Sequence, residues 1–265
     1  MSRLRPPLLA LLTDFGTRDW YVATLKAVLL SRCPAARLVD ITHEVPPQDT
    51  VAGAFTLAAA VPWFPPGTVF LAVVDPEVGS GRAIIAARAD HYYFVGPDNG
   101  LLTLSVQHAK RLTAVRLTNR RYWLTPVSAT FQGRDVMAPI AAHLASGGSL
   151  GRLGVTLPHL APLALPTVRQ EGSVFHGHVV HIDAFGNLVT NISAPSLAPR
   201  AGRRHVVVRY KRRAVRVVSS YAAGGPRELV AVVGSLGLIE LAIRNTSAAW
   251  TFNAARGDEV EVRKA

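Results

Sequence analysis

An aspartate and an arginine seven positions apart form the stretch of this sequence with the clearest capacity for chemistry. Asp75 follows residues 68–74, a nearly continuous apolar run rich in β-branched and aromatic side chains. Such a run is typical of a strand buried on both faces, and open α/β sheets keep their ligands at the carboxyl ends of such strands. A turn rich in proline and glycine comes next, so Arg82 can fold back towards Asp75. The pair predicts either a polar reaction centre or a structural ion pair at the sheet edge.

Alternating strands and helices in the first half of the chain are predicted to hold this pair in place. Apolar and amphipathic patterns predict strands at residues 8–12, 37–41, 68–74, 83–88 and 92–96, and helices at 19–31, 49–60 and 134–146. Asp49 is a candidate N-cap for the second helix. This order predicts a Rossmann-like α/β domain over residues 1–155, with a mainly parallel sheet and flanking helices.

The pattern of apolar and turn-forming residues changes in the second half of the sequence. Residues 156–170 contain three prolines and little periodicity, which predicts a linker. Short alternating segments separated by glycine and asparagine then recur over residues 171–265, with few helix signals. This pattern predicts a small, antiparallel C-terminal β-barrel domain.

The overall composition favours a compact globular protein. The chain has 265 residues, of which 49% are hydrophobic and 17% charged. No apolar run reaches the roughly 18 residues that a membrane-spanning helix needs, and residues 8–12 are too short for the apolar part of a signal peptide. A single cysteine, Cys33, excludes an intrachain disulfide framework and fits a reducing compartment. We therefore expect a cytoplasmic protein that does not bind membranes.

The formal net charge of +12 comes with one dense basic patch. Its members are Arg200, Arg203, Arg204, Arg209, Lys211, Arg212, Arg213 and Arg216. No aromatic residues interleave with these charges to stack on bases, so the pattern favours a solvated face over a nucleic-acid interface. A nucleic-acid binder remains a second hypothesis for this patch.

Seven short motifs, in order and over nearly the whole chain, resemble those of the S-adenosyl-L-methionine (SAM) hydroxide adenosyltransferases. They are Thr13–Gly16, Asp40–Glu44, Asp75–Gly79 with Arg82, Gly96–Gly100, Phe131–Asp135, Ile182–Leu188 and Gly234–Gly237. This family is the hydrolytic relative of the SAM-dependent fluorinating and chlorinating enzymes. The resemblance implies an α/β domain, a β-barrel domain and a homotrimer. It also implies that the substrate lies between one subunit's N-terminal domain and the next subunit's C-terminal domain.

The activity that the resemblance implies is attack of water or hydroxide at C5′ of SAM, which yields adenosine and L-methionine without a cofactor. The water-activating residues of the family are Asp, Arg and His. Asp75 and Arg82 match the first two, whereas Gln132 stands at the position of the histidine. Glutamine can hold a water through its amide but cannot take its proton. We therefore expect a slow hydrolase; the alternative is a protein that binds SAM or adenosine without significant turnover.

The resemblance also implies a set of substrate-binding residues. Asp14 would hold the ribose hydroxyls, and Ser235 would contact the amino-acid end. Asp183 and Asn187 would bind the methionine moiety or help to close the site. Phe185 would stack on the purine or form a wall beside it, and Asn245 and the backbone after Arg244 would reach the edge of the adenine. From local pattern alone, Asp14 is also compatible with a turn or a helix cap. Phe185 is equally compatible with a core aromatic.

Two further groups of polar residues are candidate sites. His176, His178 and His181 share one predicted strand, but zinc needs further ligands at suitable spacing, so no metal site is predicted. Asp98 and Asn99 have the pattern of turn residues. No glycine-rich phosphate loop follows the first strand, which favours a nucleoside without phosphates over NAD.

Overall fold

The computed structural model describes residues 6–193 and 206–264. The chain divides into two compact units between Leu163 and Ala164, within the segment predicted to be a linker. Each unit has its own sheet and its own hydrophobic core. Among the described residues, no helix is long and apolar enough to cross a membrane.

The first unit is built on a seven-stranded sheet in the order β2-β1-β3-β5-β4-β6-β7. Its strands are β1 Leu8–Thr13, β2 Arg37–Thr42, β3 Val69–Val73, β4 Ile84–Ala89, β5 Tyr92–Pro97, β6 Leu112–Leu117 and β7 Gly154–Leu157. β2, β1, β3 and β5 are parallel neighbours, whereas β4, β6 and β7 join the sheet through antiparallel pairs. The predicted strands are therefore confirmed, and β4 sits outside the parallel half.

Helices cover both faces of this sheet. They are α1 Tyr21–Arg32, α2 Thr50–Ala60, α3 Thr103–Val106 and α4 Ala138–Ala145, joined by single 3₁₀ turns at Val61–Trp63, Arg120–Tyr122 and Leu150–Arg152. Alternate residues of β1 enter different core clusters: Leu11 packs with α1 and α4, and Leu12 packs with α2. The strand is apolar from Leu8 to Leu12, as is typical of a strand with both faces buried. The predicted α/β class is confirmed.

The starts of α2 and of the last predicted helix have distinctive local structures. The carboxylate of Asp49 accepts a hydrogen bond from the backbone N–H of Ala52 at 2.9 Å, as expected of an N-cap. The last predicted helix begins with a π-helical turn, Gly133–Met137, before α4. Single π turns inside helices occur often at functional sites, and Gln132 directly precedes this one.

The second unit is a closed barrel. Its strands are β8 Arg169–Glu171, β9 Val174–Ile182, β10 Leu188–Ser193, β11 Val206–Tyr210, β12 Arg213–Val217, β13 Leu229–Val233, β14 Leu238–Ile243 and β15 Glu259–Lys264, with a short helix α5, Ala248–Phe252. Seven strands follow the order β10-β14-β13-β12-β11-β15-β9, and β9 pairs back to β10, while β8 extends β9 outside the ring. Of the described pairs, β12 with β13 is parallel and the others are antiparallel. The predicted barrel is confirmed.

The described part of the basic patch lies on the β11–β12 hairpin of this barrel. Arg209, Lys211 and Arg213 are exposed, and Arg216 forms an ion pair with Glu228. Lys211 donates to the carbonyl oxygens of Phe252 and Asn253. Arg200, Arg203 and Arg204 lie outside the described residues. The hairpin thus has the solvated arrangement that the sequence favours.

Candidate functional site

Three side chains that the sequence singles out are in direct contact in the α/β unit. Asp75 lies two residues beyond the end of β3, Arg82 two residues before β4, and Gln132 just before the π turn. Nε of Arg82 donates to Oδ1 of Asp75 at 2.7 Å, and its Nη2 donates to Oδ2 of Asp75. The same Nη2 donates to Oε1 of Gln132 at 2.7 Å. The side chains of Arg82 and Asp75 are 4% and 5% exposed, so the pair is shielded from solvent.

This contact fixes what each group can do. A bidentate pair of guanidinium and carboxylate is strong and geometrically specific. Because Oε1 of Gln132 accepts from Arg82, its amide NH₂ is left to donate to a water molecule or hydroxide. Both oxygens of Asp75 are engaged by Arg82, yet each carboxylate oxygen has a second lone pair that can accept another hydrogen bond. Asp75 is therefore oriented by Arg82 and can still accept from a water.

A cleft of about 370 Å³ opens beside these groups, and both Asp14 and Asp75 line it together with Gln132. Three aromatic rings line the same cleft: Phe15 lies 5.7 Å from Phe131, and Tyr21 lies 5.2 Å from Phe131, between ring centroids. Apolar walls with a few convergent polar groups are characteristic of small-molecule sites. Sequence reasoning gave these aromatic residues no role, although two of them belong to the motifs that carry Asp14 and Gln132.

A larger cavity of about 660 Å³ shares Gln132 with this cleft and is also lined by Arg82, Arg116 and Arg120. It contains neither Asp14 nor Asp75. We identify the smaller cleft as the candidate site because the carboxylates that the chemistry needs line that one.

Asp14 follows the end of β1 and is partly buried. Its Oδ2 accepts from the backbone N–H of Gln48 at 2.8 Å. Burial raises the pKa of Asp14, the hydrogen bond from Gln48 works in the opposite direction, and the charge of Asp75 raises it further. α1 has no side-chain cap at its N-terminus, so a helix cap is the wrong interpretation of Asp14. The carboxylate of Asp14 lines the cleft and holds the backbone of Gln48 through this hydrogen bond.

A chain of polar contacts fixes the turn that carries Asp14. Lys26 donates to Oδ2 of Asp40 at 2.6 Å, and Oδ1 of Asp40 lies 3.0 Å from Nε2 of His43, off the ideal hydrogen-bond direction. Nδ1 of His43 lies 2.8 Å from Oγ1 of Thr13, which accepts from the backbone N–H of Phe15 at 3.2 Å. Burial acts to raise the pKa of Asp40, but the contacts with Lys26 and His43 outweigh burial, and the pKa of Asp40 is lowered.

These contacts meet at the hydroxyl of Thr13, which is fully buried. It lies beside Nδ1 of His43 and accepts from the backbone N–H of Phe15. The backbone carbonyl of His43 also accepts from the N–H of Gly16 at 2.7 Å. The turn from Thr13 to Gly16 is thus tied to the segment after β2.

The remaining predicted residues lie on the barrel unit. Oδ1 of Asp183 accepts from the backbone N–H groups of Phe185 and Asn187, at 2.9 and 2.8 Å, and Oδ2 accepts from the side-chain amide of Asn187 at 2.9 Å. Asp183 therefore organises the turn between β9 and β10. Phe185 at its tip is 80% exposed, so interpreting it as a core aromatic is wrong.

Three predicted contacts to the substrate flank β14. Ser235 lies in the turn before this strand, and Arg244 and Asn245 follow it; all three are exposed. The backbone of Asn245 has a positive φ of 58°, a conformation that asparagine tolerates better than most residues. On the α/β unit, Asp98 and Asn99 hold backbone groups: Asp98 accepts from Ala161, and Asn99 donates to the carbonyl of Val74, beside Asp75.

Comparison with known proteins identifies the family. The model of the SAM hydroxide adenosyltransferase N-terminal domain matches residues 9–154, and that of the C-terminal domain matches residues 177–261. The chain belongs to the SAM hydroxide adenosyltransferase family. The two family models together cover most of the α/β unit and most of the barrel unit.

Two members of this family are similar to the chain over most of their length. A protein of Salinispora tropica named (R)-S-adenosyl-L-methionine hydrolase is 39% identical over 259 residues, 97% of each chain. A protein of Thermus thermophilus with the same name is 40% identical over 247 residues, 89% of this chain and 92% of the relative. The crystal structure of an uncharacterized conserved protein from Thermotoga maritima matches with a TM-score of 0.86 and 34% identity, covering 97% of this chain and all of that one.

Thr13→Val tests the polar chain beneath Asp14. The substitution keeps the shape of the side chain but leaves the N–H of Phe15 and Nδ1 of His43 without partners in a buried position. We expect it to lower the free energy of unfolding by about 2 kcal/mol, as measured by urea denaturation. Thr17→Val is the matched control, because Thr17 is exposed and bonds to Glu44 in solvent; its effect should stay within about 0.5 kcal/mol. Equal effects of the two substitutions would contradict this account.

Proposed function

We propose that this protein hydrolyses S-adenosyl-L-methionine to adenosine and L-methionine. The observation that carries the proposal is the contact of Asp75, Arg82 and Gln132 at a cleft that Asp14 also lines. The names of the relatives with 39% and 40% identity support it independently. The substrate is a sulfonium cation, and the cleft presents two carboxylates to it.

The proposed reaction is a direct displacement at C5′. The oxygen of a water molecule forms a bond to C5′ while the bond from C5′ to sulfur breaks, and its electron pair stays on sulfur. The leaving group is the neutral thioether of L-methionine, so no general acid is needed. The water loses one proton, which the carboxylate of Asp75 accepts and passes to solvent. Bringing a hydroxide-like oxygen towards a sulfonium neutralises charge, which a site poor in water favours.

Positioning supplies much of the proposed catalysis. Arg82 holds Asp75 and Gln132 in one arrangement, and the amide of Gln132 holds the water on the side of C5′ opposite sulfur. Such alignment is a large source of rate enhancement in its own right. Asp14 accepts hydrogen bonds from the ribose hydroxyls. In this proposal Asp183, Asn187 and Ser235 bind the amino-acid end, and Phe185, Arg244 and Asn245 meet the adenine.

The family resemblance also supports a proposal for the oligomeric state of the protein. We infer a homotrimer with each substrate between the N-terminal domain of one subunit and the C-terminal domain of the next, without a metal or cofactor. The domains are residues 1–155 and 171–265, joined by 156–170. The single cysteine supports a cytoplasmic setting.

The activity is tested by incubating the purified protein with SAM and measuring adenosine and L-methionine by chromatography. We expect equimolar products from the wild-type protein. Asp75→Asn should lower kcat by at least about 100-fold, the lower range for loss of a general base, and leave the dissociation constant for SAM within about threefold. Asparagine has nearly the size and shape of aspartate, so the substitution removes the carboxylate charge without opening a cavity beside Arg82. A variant with wild-type kcat would remove Asp75 from the mechanism.

A binding protein without turnover is the second candidate, and Gln132 is the observation that favours it. Gln132→His supplies the proton acceptor that glutamine lacks, so the hydrolase proposal predicts an increase in kcat of at least about tenfold. Gln48→His is the matched control, because it adds an imidazole elsewhere in the same cleft; it should not raise kcat. A wild-type protein that binds SAM and forms no product supports the binding protein. An unchanged kcat in Gln132→His would show that this position is not part of the water site.

The acidic limb of the pH profile tests Asp14. The ribose hydroxyls need an ionised acceptor, and the pKa of Asp14 in the free protein is raised by burial. As pH falls through that raised pKa the carboxyl takes up a proton, so kcat/KM should decline at a higher pH than an ordinary aspartate would cause. Asp14→Asn should lower kcat/KM at neutral pH and remove this limb. An identical acidic limb in Asp14→Asn would contradict the assignment.

A further inference from the structure

A second cavity lies next to the candidate site and has no part in the proposed reaction. It has a volume of about 660 Å³ and shares Gln132 with the cleft. Arg82 lines this cavity and does not line the cleft. The guanidinium of Arg82 therefore stands between two spaces. Its contacts with Asp75 and Gln132 belong to the candidate site, and the rest of the group borders the second cavity.

Part of the hydrogen-bonding capacity of Arg82 is unused. A guanidinium has five N–H donors. Nε uses its one N–H on Asp75, and Nη2 uses both of its own on Asp75 and Gln132. The two N–H groups of Nη1 have no hydrogen-bond partner among the described residues. Because Arg82 borders the second cavity and not the cleft, these two donors are available on the side of the cavity.

The rest of the lining is positively charged and rich in donors. Arg116 and Arg120 also line the cavity, and no aspartate or glutamate does. In the part of the chain that the structure describes, neither of these two side chains forms an ion pair. The guanidinium of Arg120 lies over the ring of Trp123, 5.6 Å from its centroid. The hydroxyl of Ser80, also in the lining, accepts from the backbone N–H of Arg82 at 3.2 Å, so its own proton remains available to a ligand.

The size and the walls of the cavity indicate what kind of anion fits it. Sites for small organic molecules measure roughly 300–1,000 Å³, whereas an inorganic phosphate would leave most of this volume empty. Apolar side chains form much of the remaining wall, namely Ile84, Leu117, Leu124 and Val127. Clefts lined by charges of one sign concentrate ligands of the opposite sign. The lining thus suits an organic molecule that carries an oxyanion group on an apolar body.

We propose that the second cavity binds a small organic oxyanion, a phosphate ester or a carboxylate, through Nη1 of Arg82 and the guanidinium of Arg120. Guanidinium groups bind both kinds of oxyanion with paired N–H donors. A cationic ligand is a poor match, because no carboxylate lines the cavity. The bound anion shares Arg82 with the candidate site and leaves the cleft open. The inference concerns binding and does not depend on hydrolysis of SAM.

Isothermal titration calorimetry with three probes tests this site. Phenyl phosphate and benzoate carry an oxyanion on an apolar ring, and inorganic phosphate has no apolar part. We expect one ring-bearing probe to bind the wild-type protein at least about tenfold more tightly than inorganic phosphate, because the apolar walls bury the ring. The tighter of the two ring-bearing probes identifies the oxyanion as a phosphate or a carboxylate.

Arg120→Gln should raise the dissociation constant of that probe by about 10- to 100-fold, the usual loss for hydrogen bonds to a charged group. Arg121→Gln is the matched control, because Arg121 is an exposed arginine of the same 3₁₀ turn that does not line the cavity. Its dissociation constant should stay within about twofold of the wild-type value.

Val127→Trp tests whether the probe enters the cavity. Val127 lines the cavity and is exposed, so a larger side chain there fills the space without changing a charge. We expect this variant to bind the ring-bearing probe at least about tenfold more weakly, because the ring then has no apolar wall to meet.

Several results would overturn the inference. They are no binding of either ring-bearing probe, binding of inorganic phosphate as tight as that of both, and an unchanged dissociation constant in Val127→Trp. Equal losses in Arg120→Gln and Arg121→Gln would indicate non-specific attraction to a chain of net charge +12. Displacement of the probe by adenosine would place it in the cleft instead. Turnover of SAM is measured separately, so a protein that fails to hydrolyse SAM leaves these binding results, and their meaning, unchanged.

Discussion

The guanidinium of Arg82 is the group on which the candidate site depends. It bonds to both oxygens of Asp75 and to the amide oxygen of Gln132, and so joins the end of β3, the start of β4 and the π turn before α4. A charge that is 4% exposed is stable there because the carboxylate balances it. The sheet brings the first two segments together, and α4 brings the third. The site is therefore a product of the whole α/β unit.

Much of this fold could be predicted because its strands obey local rules. β1 and β3 are buried on both faces and read as continuous apolar runs, and Asp49 carries the chemistry of an N-cap beside its helix. The barrel strands alternate, with glycine and asparagine between them. Asp75 and Arg82 are separated by one tight turn, so their contact follows from the sequence nearby. Gln132 lies fifty positions further along, and its place beside Arg82 could be expected through the family resemblance alone.

Long-range packing decided the features that sequence reasoning missed. β4 and β5 form a local hairpin, but the place of β4 between β5 and β6 depends on hydrogen-bond pairing across the sheet, which composition does not encode. Phe185 is of a residue type that is common in cores, but the turn held by Asp183 leaves its side chain exposed to solvent. The contacts from Lys26 to Thr13 join residues of β1, α1 and β2. Glu240 lies in the otherwise apolar strand β14, and it accepts a hydrogen bond from the hydroxyl of Tyr221, which lies in a separate turn.

The closure of the barrel bears on how a ligand meets Phe185. β9 pairs with β15 on one side and with β10 on the other, so both strands entering the turn at Asp183 are fixed in a continuous ring. Three hydrogen bonds to one carboxylate fix the turn itself. Because this turn is held in place, the exposed phenyl ring of Phe185 loses little conformational entropy when a flat partner stacks on it. The barrel thus holds an aromatic surface in position before a partner binds, and binding need not order the turn between β9 and β10.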